Sequence, residues 1–178
     1  MAPGSPSWGT IPPPLRKRRG AWCDVGGASS RAGDADPGDA AFDRLDLAYR
    51  ALVAMVYNFA PTSGHPGGSL SAGGIMAGLL FGGMACDVGR PMRRDQDVMI
   101  LAAGHKALGL YSMLALRDEA MRIARPDLLP ADAGSRVRIE DLLGFRRNPC
   151  RPAPIAARLG SRALDGHPTP ATPFATSP

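Results

Sequence analysis

Long apolar runs occur only between about Phe42 and Phe145 of the 178-residue chain, and this uneven distribution restricts most strongly what the chain can fold into. Pro, Gly, Ser and Arg crowd both ends, whereas a core requires apolar side chains at regular spacing. We therefore expect a disordered extension at residues 1–38, a partial domain at 39–170 and a disordered tail at 171–178. The folded part then amounts to little over a hundred residues, which is enough for a small core.

The net charge of +5 lies mainly outside this region. Residues 41–145 carry eleven basic and eleven acidic side chains, so that part of the chain is neutral. Its arginines alternate with aspartates and do not cluster on one predicted element, a pattern that disfavours a nucleic-acid-binding face. We therefore expect no nucleic-acid partner.

The cysteines and the apolar runs exclude several further classes of protein. Cys23, Cys86 and Cys150 are odd in number and form no CxxC pair, so they predict neither a disulfide framework nor a zinc site and favour a reducing compartment. The basic run at 16–19 is not followed by the apolar stretch of a signal peptide, and no run approaches the ~18–20 apolar residues of a membrane span. We expect a cytoplasmic protein.

The spacing of apolar residues predicts two helices in the first half of the folded region. The first stripe, at intervals of three and four, consists of Leu45, Ala48, Tyr49, Leu52, Val56 and Phe59. Pro61 ends this helix, and a Pro- and Gly-rich loop follows it. Ser69 or Ser71 can cap a second helix running to about Met84, whose glycines each weaken it by up to ~1 kcal/mol relative to Ala, so that it needs close packing.

The second half predicts a strand followed by helices. Residues 98–103 form an unbroken apolar run, as in a strand covered on both faces of a parallel sheet. Residues 106–124 return to helical spacing, and a short helix at 137–146 follows a cap at Ser135. The charged residues expected on the outer side of the longer helix are Arg117, Asp118, Arg122 and Arg125. The fold class predicted is α/β, mostly helical in the part present.

The three histidines of the chain, His65, His105 and His167, each follow a glycine. His105 and Gly104 stand at the carboxyl end of the predicted strand, where open α/β sheets bind ligands. The alternative is that Gly104 only makes the turn and that His105 faces solvent. A metal site built from the three imidazoles is disfavoured, because they lie 40 and 62 residues apart with no ligand pair at helical spacing.

Residues 63–71, with the sequence SGHPGGSLS, resemble the first substrate-site signature of transketolases, especially of their separately encoded N-terminal subunits. Three later segments are similar to further elements of that family in the same order. Residues 97–105 resemble its apolar strand ending in Gly-His, residues 142–146 its Leu-x-x-Phe-Arg element, and residues 166–170 its third histidine motif. The resemblance covers residues 45–170.

The resemblance implies the start of a thiamine-diphosphate-binding, parallel-sheet domain. The implied reaction transfers a two-carbon ketol unit from a ketose phosphate to an aldose phosphate. His65 and His167 would be catalytic and would contact the sugar phosphate together with Ser63. His105 and Gly104 would contact thiamine diphosphate. The implied partners are sugar phosphates and a second subunit, either an identical copy or a complementing chain.

The family continues past the third histidine into a Gly-Asp-Gly motif and a later Asn, which hold the Mg²⁺ or Ca²⁺ that bridges the diphosphate. No Asp or Asn here can be assigned to those positions, so we expect no metal ligand in this chain and metal-binding segments outside it. Lys106 stands where the family usually has a small residue. We expect the chain alone to be inactive, and the alternative is a non-catalytic degenerate fragment or an interaction module that binds a partner through exposed helices.

Overall fold

The computed structural model describes residues 37–59, 65–146 and 157–177. The extension predicted from the sequence therefore falls almost entirely outside the described residues. The described part is rich in helix and contains a two-stranded parallel sheet, in agreement with an α/β class. None of its helices has both the length and the apolar content that a membrane span requires.

Within the ranges that the structure describes, four α-helices form the body of the fold. They are α1 (Pro37–Phe59), α2 (Pro66–Ser71), α3 (Gly73–Gly78) and α4 (Ala107–Ala124). A π-helical turn (Leu79–Gly83) extends α3, and 3₁₀ turns at Gly104–Lys106, Pro126–Leu128, Ala133–Ser135 and Ile139–Gly144 flank α4. The predicted helices at 45–59 and 106–124 are confirmed, although α1 begins earlier than the apolar stripe. The predicted short helix at 137–146 is a 3₁₀ helix.

The core lies where α4 crosses α1 and α2. Residues 107–115 of α4 are all buried, and Tyr49 of α1 is completely enclosed against them. The Tyr49 hydroxyl donates a hydrogen bond of 2.5 Å to the carbonyl oxygen of Ser69 in α2. Burial raises the pKa of this phenol above its usual value, and the nearby Asp46 charge acts in the same direction. Tyr49 therefore ties α2 to the core as a neutral hydrogen-bond donor.

The sheet pairs two short strands, β1 (Met99–Ile100) and β2 (Ala175–Thr176), in parallel. Met99 donates its backbone N–H to Phe174, and Leu101 donates to Thr176, each at 2.8 Å. A disordered tail is expected from residue 171 on the basis of composition, and this expectation is wrong for residues 171–177. Phe174 and Ala175 are buried, because β1 offers unpaired backbone groups and the core offers an apolar surface to this segment.

Several local predictions fail. The run at 98–103 is not covered on both faces, since Val98 and Ile100 are more than half exposed beside the single partner strand β2. The second helix begins at Pro66 and is interrupted at Ala72, and Ser69 is a buried residue that caps no helix. Ser135 does not cap the following helix as predicted. Ser135 ends a 3₁₀ turn that Asp132 caps, and Arg138 is the N-cap of the helix Ile139–Gly144.

The prediction that Arg117 and Asp118 point outward is also wrong, although Arg122 and Arg125 are exposed as expected. Arg117 donates two hydrogen bonds to one carboxylate oxygen of Asp118, at 2.9 and 2.7 Å. The other carboxylate oxygen accepts the backbone N–H of Val137. These two charged side chains can be buried because each is ion-paired and hydrogen-bonded. The spacing of apolar residues along the helix does not reveal such pairing.

Candidate functional site

The carboxyl ends of β1 and β2 meet at one edge of the sheet, because the strands are parallel. Gly104 follows β1 and Ser177 follows β2 along the chain. Ser177 donates two hydrogen bonds to the carbonyl oxygen of Pro168, from its backbone N–H at 3.1 Å and from its hydroxyl at 2.9 Å. These bonds hold the loop that carries His167 at the same edge.

His167 packs directly on Gly104. A Cβ placed on Gly104 would overlap Cδ2 of His167 and would lie 3.1 Å from Cβ of Ser177. Gly104 itself is buried and lies in a 3₁₀ turn. Glycine is therefore needed at position 104 to leave room for the His167 imidazole. Two of the three Gly-His motifs, far apart in sequence, are thus in direct contact.

His65, the residue before α2, lies beside His105. The ring centroids of His65 and His105 lie 4.7 Å apart, with the ring planes inclined at 59°. The buried Ser69 positions this part of α2, since its carbonyl accepts the Tyr49 hydroxyl and its own hydroxyl lies 3.2 Å from that of Tyr57. The structure thus brings together all three histidines that the sequence analysis singles out.

Two longer cationic side chains border the histidines. The Lys106 side chain crosses Gly68, where a Cβ would lie 2.7 Å from its Cε and 3.4 Å from its Nζ. The Arg146 side chain crosses Gly166, where a Cβ would lie 2.8 Å from its Nε. We call the five side chains His65, His105, Lys106, Arg146 and His167 the histidine face.

The electrostatic environment of His105 is positive. Partial burial lowers the pKa of its imidazole below the usual value, and the charges of His65, Lys106, His167 and Arg146 lower it further. His105 is therefore mostly neutral at pH 7 and offers one N–H donor and one nitrogen acceptor. Like charges that gather at one surface in this way attract anions.

Arg146 belongs to the Leu-x-x-Phe-Arg element at 142–146, and the sequence alone indicates no role for it in the site. The backbone of Arg146 has a φ of 53°, in the left-handed region that a residue with a branched or long side chain rarely adopts. Its guanidinium carbon lies 5.2 Å from the centre of the Phe145 ring. This conformation directs the side chain toward Gly166 and so into the histidine face.

Ser63, the remaining predicted substrate contact, lies outside the described residues. Across the ranges that the structure describes, no three His, Cys, Asp or Glu side chains form a group that could hold a metal ion. The described side chains thus fit an anionic group and do not provide a site for a divalent cation.

No protein-family model matches the chain, and neither a curated protein nor a solved structure matches it.

Proposed function

We propose that the histidine face is the substrate and cofactor face of a transketolase-type site, acting on sugar phosphates with thiamine diphosphate. One observation supports the proposal above all others. The three Gly-His motifs that carry the family resemblance are spread over the chain, and their imidazoles converge at the carboxyl end of β1. Histidines with unrelated roles are not expected to lie together at the end of one strand, where open α/β sheets bind ligands.

In this proposal His65 and His167 move protons on the sugars. Both side chains are exposed at the histidine face and can reach a bound ligand. One imidazole accepts the proton of the donor hydroxyl beside the carbon–carbon bond that breaks. A proton returns to the aldose oxygen when the new carbon–carbon bond forms, so that the transfer consumes no net proton.

Thiamine diphosphate, when bound, supplies the carbanion chemistry that lets a ketose phosphate release a two-carbon unit. His105, held mostly neutral, donates or accepts a hydrogen bond at the cofactor. The contribution of Gly104 is to admit His167 beside His105. The metal ion of the family has no ligand set among the described residues, so no step is assigned to it.

The test is a coupled assay of ketol transfer, run with the chain and the complementing subunit that the resemblance predicts. We expect His65→Ala and His167→Ala each to lower turnover by about 10²–10⁴-fold, the usual contribution of a general acid or base. Arg94→Ala is the matched control, since this exposed side chain precedes the amino end of β1. Absence of transfer, or turnover unchanged in both histidine variants, contradicts the proposal.

A second candidate is a non-catalytic interaction module, and an apolar groove favours it. The groove lies between α1 and α4 and has a volume of about 340 Å³. The large apolar side chains that line it include Phe42, Leu45, Phe81, Met121 and Leu128. A non-catalytic module shows no ketol transfer in the coupled assay, whereas the first candidate does, so that assay separates the two. Phe81→Ser should abolish binding of a partner at this groove.

A further inference from the structure

Two long cationic side chains, Lys106 and Arg146, lie beside the imidazoles of the histidine face. Lys106 and Arg146 come from different segments, and each lies flat against a glycine that neighbours a histidine motif. Gly68 lies three residues after His65, and Gly166 immediately precedes His167. A larger residue at either glycine would collide with the cation beside it, so both positions keep the two cations close to the imidazoles.

Among the residues that the structure describes, no acidic side chain is one of the groups that shift the pKa of His105. All four charged groups that act on His105 lower its pKa, so each contributes positive charge at this face. An anion at the histidine face therefore meets cationic and polar hydrogen-bond donors.

We propose that the histidine face binds a phosphate-type dianion or diphosphate directly, with Lys106 as the principal ligand and without a divalent metal ion. The Lys106 ammonium offers three hydrogen-bond donors, the imidazoles add N–H donors, and the Arg146 guanidinium contributes a nearby positive charge. The site thus compensates phosphate charge with its own side chains, while the described residues hold no metal group. The inference stands on these side chains and holds whether or not the chain takes part in ketol transfer.

The experiment follows the imidazole C–H signals of the purified full chain by NMR during titration with inorganic diphosphate in the presence of a chelator. We expect saturable shifts of the histidine signals, with a Kd on the order of 0.1–1 mM. Lys106→Gln should weaken binding about tenfold or more, because it removes a charged hydrogen-bond donor. Adding Mg²⁺ should weaken the apparent binding, because the ion competes for the same oxygens.

Two variants control for fold and charge. Lys106→Arg keeps the positive charge and should retain most of the binding. Arg94→Ala removes one exposed positive charge at the other end of β1 and should change the Kd by less than about twofold. An unchanged Kd in Lys106→Gln, a requirement for Mg²⁺, or no saturable shift up to about 10 mM diphosphate overturns the inference.

Thiamine diphosphate and unphosphorylated thiamine, used as further ligands, separate this inference from the proposed function. Tighter binding of thiamine diphosphate than of inorganic diphosphate supports both. Equal binding of the two, with none of thiamine, supports the diphosphate site and counts against recognition of the cofactor. Binding of thiamine alone, with none of inorganic diphosphate, overturns the further inference and leaves the proposed function standing.

Discussion

At the residue scale, the charged groups that matter most to this structure are those that join segments distant in sequence. Asp141 is completely buried in the 3₁₀ helix that follows α4. Its carboxylate accepts hydrogen bonds from the backbone N–H groups of Arg138 and Arg162 at 3.0 Å each, and from both arginine side chains. The guanidinium of Arg162 also contacts the backbone carbonyls of Gly134 and Arg136. Asp141 therefore holds the 157–177 segment to the rest of the fold.

Burial by itself would raise the pKa of Asp141, but the hydrogen bonds from Arg138 and Arg162 outweigh it and hold the pKa below the usual value. Because the pKa is lower in the native state, the ionised carboxylate stabilises the fold at any pH above the pKa of the unfolded state, which is about 3.9. That stabilisation is lost as the pH falls through the native pKa. We therefore expect the free energy of unfolding to fall below about pH 4.

Asp141→Asn should lower the free energy of unfolding at pH 7 by about 1.5–3 kcal/mol, since a buried charged acceptor is lost. Urea unfolding at pH 7 and pH 3.5 measures both effects. Asp127→Asn is the matched control, because Asp127 pairs with Arg125 on the surface, and it should leave the curve unchanged. An Asp141→Asn variant as stable as the wild type at pH 7 would show that the contacts of this carboxylate do not hold the segment.

At the element scale, the glycine-rich helix predicted from the sequence is divided into α2, α3 and a π-helical turn. Its glycines are of two kinds. Gly73 is buried, and a Cβ there would lie 2.6 Å from the Tyr49 ring, whereas Gly74 and Gly78 have nothing within 4 Å of such an atom. The expected need for close packing thus holds at one face of α3 and not at the other.

This division predicts opposite effects of the same substitution. Gly74→Ala and Gly78→Ala should each raise the free energy of unfolding by about 0.5–1 kcal/mol, because alanine restricts the unfolded chain and favours helix. Gly73→Ala should lower it by about 1–3 kcal/mol, because Tyr49 is enclosed and cannot move aside freely. Thermal unfolding of the three variants checks the signs, and stabilisation by Gly73→Ala would mean that α1 and α3 pack less closely than described.

At the scale of the whole molecule, the described residues provide part of what a diphosphate-binding enzyme site requires. Cations gather at the histidine face, but no metal group is found among these residues. Micromolar binding requires about 8 kcal/mol, whereas a helix terminus contributes only about 0.3–2 kcal/mol toward an anion. The side chains of the histidine face add to this without a divalent ion or a second wall for the cofactor rings.

We therefore predict that the 178-residue chain by itself does not bind thiamine diphosphate with Mg²⁺ in the low micromolar range. Isothermal titration of the purified chain measures this directly, with the Lys106→Gln variant as the comparison for direct binding of the diphosphate. Saturable binding at a few micromolar would show that the chain contains a metal site outside the described residues.

The sequence determined the helices with a clear apolar period, the place of His105 after an apolar run, and the three Gly-His motifs as one set. These follow from local spacing, which depends on neighbours along the chain. Only the tertiary structure decided that Phe174 and Ala175 complete a sheet, that Arg117 and Asp118 are buried as a pair, and that Lys106 and Arg146 join the histidines. These features depend on contacts between distant segments, where pairing of charges and backbone groups outweighs the preference of single residues for the surface.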